Sequence, residues 1–342
     1  MKKTHSILGI IGCLVLMTAC SHYDEPGQGG GNGDVIALSA VVPNGSRTTT
    51  ATINDFTVYA FTGGETLMDS VTVTRNGGIW TYSPEAYWPV TPINFYAYSP
   101  AIPATPSISN EDGGDIPDYY SNGYTDLLYS VKKNVTQQIA PVTLNFRHAL
   151  SKASVLLSST NPRIKVVVSY VALNSIYTRG TFTFPQESTL ASTPEVVGSW
   201  SLLKNPQKVV TFAIIDHSDK IALTPLPTDL TINSLECSYF VPQPLTELEL
   251  TGGTYAGSFI EVDCEIFDTA SGAKLWPNSK TPDYMLVQET ETGRIVYPLT
   301  SDAVKEWKIG HAYIYNISIN NPDVLDKIEF DVTVDDYIID EM

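Results

Sequence analysis

The thiol of Cys20 is the side chain in this sequence best placed for a defined covalent reaction. Lys2 and Lys3 precede an uncharged apolar run over residues 7–16, and Leu16-Met17-Thr18-Ala19 lead into the cysteine. A basic start, a short apolar segment and small residues before the cut are what a signal peptidase requires, and a cysteine at the new N-terminus offers its sulfur for diacylation. Cleavage before Cys20 is therefore expected, with residues 1–19 as the signal peptide. The apolar run is too short to form a stable transmembrane helix. The expected product is a bacterial envelope protein tied to the outer membrane by lipid and displayed at the surface.

A second reactive position is Arg47. It sits in Asn44-Gly45-Ser46-Arg47-Thr48-Thr49-Thr50, a polar segment between two strand-like stretches, where a protease would find an exposed arginine. Upstream, Ile36, Leu38, Ala40 and Val42 share one face of a predicted first strand. Near the other end of the chain, Ile328, Phe330, Val332 and Val334 alternate with Glu329, Asp331, Thr333 and Asp335. Cutting at Arg47 would free the first strand and open an apolar groove with unpaired backbone groups. An alternating strand from another molecule could fill it.

The remaining chemistry-bearing residues form no catalytic pattern. His22, His148, His217 and His311 lack metal-ligand spacing, and His148 alternates with Phe146 and Leu144 as a satisfied core or junction histidine would. There is no Gly-x-Ser-x-Gly elbow, His-Glu-x-x-His or phosphate-binding loop, so neither an enzyme nor a cofactor or metal is expected. The acidic run at residues 110–118 lacks the ligand order and closing glutamate of an EF-hand and reads as a solvated loop. Beside it, Tyr119, Tyr120 and Tyr124 offer rings on which a sugar could stack. Cys13 leaves with the signal, which leaves Cys237 and Cys264 in strand-like segments, where an oxidising compartment allows a disulfide or two separate buried thiols.

The elements that position these residues read as β-strands. Only 17% of the 342 residues are charged while tyrosine occurs 19 times, a composition suited to β-sandwiches. The net charge is −17, and −19 once Lys2 and Lys3 are removed, so a nucleic-acid partner is excluded by repulsion. Residues 20–34 are glycine-rich and read as a flexible tether. Beyond them, alternating segments recur between turn signals with no helical period, which argues for antiparallel sandwiches and against a parallel βαβ fold. Asn76-Gly77-Gly78 supplies a tight hairpin between residues 71–73 and 80–82. Residues 101–122, rich in Pro, Ser and Asp, read as one long surface loop. The only plausible junction, at residues 149–152, divides the chain into sandwich domains at residues 35–150 and 151–342.

The chain resembles the fimbrillin family, the Mfa-like proteins that build type V pili on Gram-negative anaerobes. The resemblance rests on Phe56-Thr57-Val58-Tyr59-Ala60-Phe61, Tyr87-Trp88-Pro89, Phe95-Tyr96-Ala97-Tyr98-Ser99-Pro100 and Asp126-Leu127-Leu128-Tyr129. It continues through Leu144-Asn145-Phe146-Arg147-His148-Ala149-Leu150-Ser151-Lys152, Phe240-Val241-Pro242-Gln243-Pro244-Leu245 and Trp307-Lys308-Ile309-Gly310-His311-Ala312-Tyr313-Ile314-Tyr315. It implies two tandem transthyretin-like β-sandwich domains and export as a lipoprotein. In polymerising members an arginine-specific protease removes the first strand and a neighbour donates a C-terminal one. Arg47 matches the cleavage position, residues 35–42 the removed strand and residues 327–339 the donated one. The expected function is a structural or adhesive fimbrial subunit whose partners are other pilus subunits, with a surface glycan or protein as adhesion target. The rival expectation is a monomeric surface lipoprotein that binds glycans.

Overall fold

Runs of Val, Ile, Thr and Tyr punctuated by Gly, Pro and Asn give strands here almost without exception. The computed structural model describes residues 34–42, 53–102, 106–109, 113–203, 209–215, 220–229, 239–321 and 329–336. Among the described residues the only helical element is a 3-10 turn at Asp283–Met285. The fold is all-β, built from packed sheets whose pairing is mostly antiparallel.

A six-stranded antiparallel sheet organises the first half. Its order is Arg147–His148, Leu128–Val135, Ile93–Ser99, Asp55–Thr62, Glu65–Asn76 and Ile79–Tyr82. Side chains alternate across a strand, and here both faces are covered. Phe56, Val58, Ala60, Phe95 and Ala97 enter one core with Ile36, Leu38, Val142, Leu144 and Phe146. Tyr59, Phe61, Tyr96, Tyr98 and Tyr129 enter another with Ile116, Phe182 and Phe184. That is why residues 56–62 are buried without interruption. The Asn76–Ile79 pair closes the expected hairpin, with Gly77 and Gly78 at φ of 58° and 89°. A Cβ on Gly77 meets no atom within 4 Å, so Gly77→Ala carries only the left-handed backbone cost. We expect a loss of about 1 kcal/mol, read as a fall of a few degrees in the thermal melt.

Residues 101–122 are not the long loop that their composition suggests. Gly114–Tyr120 is a strand, paired with Ser107–Ile108 on one side and Arg179–Thr183 on the other, and Ser199–Leu202 completes this four-stranded sheet. Pro117 lacks a backbone donor and sits where the pairing register shifts, between the Gly180 and Phe182 partners. That shift hides the alternation, because the buried residues become Ile116 and Tyr119. Residues 179–202 thus return from the second half of the chain to cover the tyrosine face of the first sheet.

The second half packs one sheet on another. Ser151–Ser158 pairs in parallel with His311–Ser318, and Val155, Leu157, Tyr313 and Tyr315 face Val166, Val168, Ile260 and Val262 of the long pair Ile164–Tyr177 and Phe259–Asp268. The expected junction is buried, Ala149 at 0% and Leu150 at 1% exposure. Trp200 Nε1 donates to the Ala149 carbonyl at 2.7 Å, and the Gly310 amide donates to the Leu150 carbonyl at 3.0 Å. Arg147, beside it, turns its guanidinium into residues 190–196. Its two terminal nitrogens donate to the carbonyls of Leu190 (2.5 Å), Thr193 (2.7 Å), Pro194 (2.9 Å) and Val196 (2.5 Å). Burial draws this guanidinium below its ordinary pKa, opposed by Tyr129 and Glu195, yet it remains charged at any physiological pH. His148 is 9% exposed and its Nδ1 is hydrogen-bonded to the Asp126 carboxylate, so it is buried with a polar partner, as its place on an apolar face suggests.

Candidate strand-exchange site

Alternation in residues 34–42 sends Ile36 and Leu38 into the core at 0% and 4% exposure, with Ala40 and Val42 packed against its margin. Val35 and Val41 point outward, 42% and 50% exposed. Leu38–Val41 pairs in parallel with Val142–Asn145, Leu38 opposite Val142 and Ala40 opposite Leu144. This two-stranded sheet is all the ladder that Val142–Asn145 has among the described residues.

The stretch is gripped on both sides. On one side the Val142 amide donates to the Ala37 carbonyl and the Phe146 amide to the Val41 carbonyl, both at 2.8 Å, and Ser39 Oγ donates to Thr143 Oγ1 at 3.1 Å. On the other, the Ile36 amide donates to the Ala86 carbonyl at 2.9 Å, the Trp88 amide to the Asp34 carbonyl at 3.0 Å, and the Tyr82 hydroxyl to the Ile36 carbonyl at 2.6 Å. Without residues 34–42, two walls remain: one offers the Val142 and Phe146 donors, and the other the Ala86 acceptor, the Trp88 donor and the Tyr82 hydroxyl. Between them lies an apolar floor that includes Phe56, Phe95 and Phe146. Burying a Leu or Ile side chain there is worth roughly 1.5–3 kcal/mol, so residues 34–42 are held by their side chains as well as by their backbone. The second wall, at Tyr82, Ala86 and Trp88, was not legible as part of any site, because it contributes mainly backbone groups.

The other expected component lies in a different sheet. Glu329–Asp336 pairs antiparallel along the whole of His311–Ser318, with Phe330 opposite Ile317, Val332 opposite Tyr315 and Val334 opposite Tyr313. Val332 packs on the second-half core, while Val334 is 40% exposed. Being last in the sheet order, this strand has no described strand on its far edge. The first and last strands are therefore not brought together within the chain.

Cys20, Arg47, Cys237 and Ile328 lie outside the described residues. Cys264 is fully buried in Phe259–Asp268, where burial, and then the neighbouring Asp263 and Glu265, push its thiol up. No helix among the described residues is long and apolar enough to cross a membrane.

A layered all-β protein with its first described strand seated in an apolar cleft and its last described strand on a sheet margin is what this geometry defines. The chain belongs to the fimbrillin-like family, whose profile matches residues 30–336. No curated protein matches it. Among solved structures it is similar to a candidate cell adhesion protein from Bacteroides uniformis, at 15% identity, covering 89% of this chain and 99% of that one, with a TM-score of 0.52. A fimbrial protein from Bacteroides vulgatus matches at 15% identity over 89% of this chain and 99% of that one, with a TM-score of 0.49. A fimbrial assembly protein from Parabacteroides distasonis matches at 13% identity over 88% and 99%, with a TM-score of 0.37. The likeness to the Bacteroides uniformis protein bears on the fold, and it agrees with the layered sheets described above.

Proposed function

We propose that this protein is a structural or adhesive subunit of cell-surface fimbriae, exported as a lipoprotein through Cys20 and assembled by strand exchange after cleavage at Arg47. The observation that carries this reading is the seating of residues 34–42: an apolar plug, hydrogen-bonded on both flanks, whose loss leaves a groove ready for a strand of the same period. Membership of the fimbrillin-like family supports it. The partners are further subunits, each supplying Ile328, Phe330, Val332 and Val334 to the groove of the next. Backbone pairing gives such an exchange its affinity and the alternate side chains give it register. Until it is donated, the strand satisfies its own chain by pairing with His311–Ser318.

Limited trypsin digestion tests both halves of the proposal. Cleavage is expected at Arg47 before any cut within the sheets, and a peptide of residues 327–339 then binds the cut protein and not the intact one. Arg47→Ala stays intact, ignores the peptide and forms no ladders of subunits on cells. Ladders that persist in the variant, or a peptide that binds cut and uncut protein alike, overturn the proposal.

A further inference from the structure

The outer face of the strand Gly114–Tyr120 forms one side of a cleft unrelated to either terminal strand. Pro117, Asp118, Tyr119 and Tyr120 line it together with Arg179 across the ladder, and Pro100, Ala101 and Ile102 line it opposite, enclosing about 810 Å³. That volume lies in the range of small-molecule sites. Tyr119 points down into the core, edge-on to Trp200 with ring centroids 5.7 Å apart. Its neighbour Tyr120 therefore points out and is 53% exposed. Arg179, the register partner of Tyr120, holds its guanidinium 5.0 Å from the centre of that ring and contacts Asp118 Oδ2 at 3.3 Å. At the rim, Asn122 Oδ1 accepts from the amides of Tyr124 and Thr125 at 2.9 and 3.0 Å, fixing the turn that carries Tyr124, itself 46% exposed.

We propose that this cleft is a carbohydrate subsite for a neutral hexopyranose unit of a surface glycan. A pyranose presents an apolar C–H face and a rim of hydroxyls, and the cleft presents the complement: an exposed, braced aromatic ring beside a carboxylate that accepts and a guanidinium that donates. Asp118 offsets the charge of Arg179, and the chain as a whole carries −17, so an anionic sugar would be repelled where a neutral one is not. The brace also lowers the ordering cost of binding, because Tyr120 and Arg179 are already held against each other. This site deepens the adhesive part of the proposed function and is independent of strand exchange.

The test uses full-length protein carrying Arg47→Ala, so that its outcome does not depend on assembly, on a printed array of neutral and sialylated oligosaccharides. The strongest neutral ligand is then titrated by isothermal calorimetry. Binding to neutral glycans is expected, with no gain from sialylation. Tyr120→Ala and Arg179→Ala are expected to weaken it about tenfold or more while the melting temperature stays unchanged. Tyr120→Trp, which keeps an aromatic platform, retains binding, as does Tyr284→Ala at an exposed tyrosine elsewhere. An array with no neutral glycan bound, a preference for sialylated ligands, or undiminished binding by the folded Tyr120→Ala protein overturns the proposal.

Discussion

Replacing Arg147 by methionine lowers the melting temperature by roughly 6–12 °C, a loss of about 3 kcal/mol. The side chain is 9% exposed and carries four charge-assisted bonds to the carbonyls of residues 190, 193, 194 and 196. Methionine keeps much of the packing volume and removes every guanidinium donor; the Leu190 and Thr193 carbonyls keep the amides of Thr193 and Val196 at 3.1 Å, so the cost is that of four lost charge-assisted bonds and of the Pro194 and Val196 carbonyls left to water. Lysine does not rescue it. An ammonium presents a point charge with three donors, whereas these four carbonyls converge on a planar fork. Differential scanning calorimetry gives the first result, and faster proteolysis confined to residues 185–198 shows that the clasped segment has been released. A lysine variant that melts with the parent would remove the geometric argument.

Leu38→Ala produces an effect that depends on the history of the molecule. In the intact chain it removes a side chain that is 4% exposed in the first core and costs about 2–4 kcal/mol. In assembled subunits from which residues 34–47 have been cut away, the same substitution changes nothing, because the residue has left with the strand. Melting the parent and variant before cleavage and after assembly measures both differences. Equal destabilisation in the two states would mean that the first strand stays in place and that strand exchange is not the mode of assembly.

The two terminal strands were legible because each is local and strictly periodic. Ile36, Leu38, Ala40 and Val42 share one face whatever lies opposite them. The Asn76-Gly77-Gly78 turn was equally plain, since only a left-handed backbone suits it. Arg147 stood inside a recognisable run, but its four partners are carbonyls that any residue supplies, so no residue type marks the clasp. The strand Gly114–Tyr120 was lost for a related reason. Pro117 and the register shift break its alternation, and its partner at Arg179–Thr183 lies some sixty residues further along the chain. What pairs across long separations with an irregular register leaves little trace in the order of residues.

The parallel pairing of Leu38–Val41 with Val142–Asn145 also governs the order of events during folding. Ser39 meets Thr143 at a sequence separation of 104, and contacts of such range form late because a long loop must close first. Residues 34–42 leave the ribosome well before the strand with which they pair, and so wait for their ladder. Until residues 142–146 arrive, the amides and carbonyls of residues 34–42 lack their strand partner, and a protease working in that interval would have no native sheet to open.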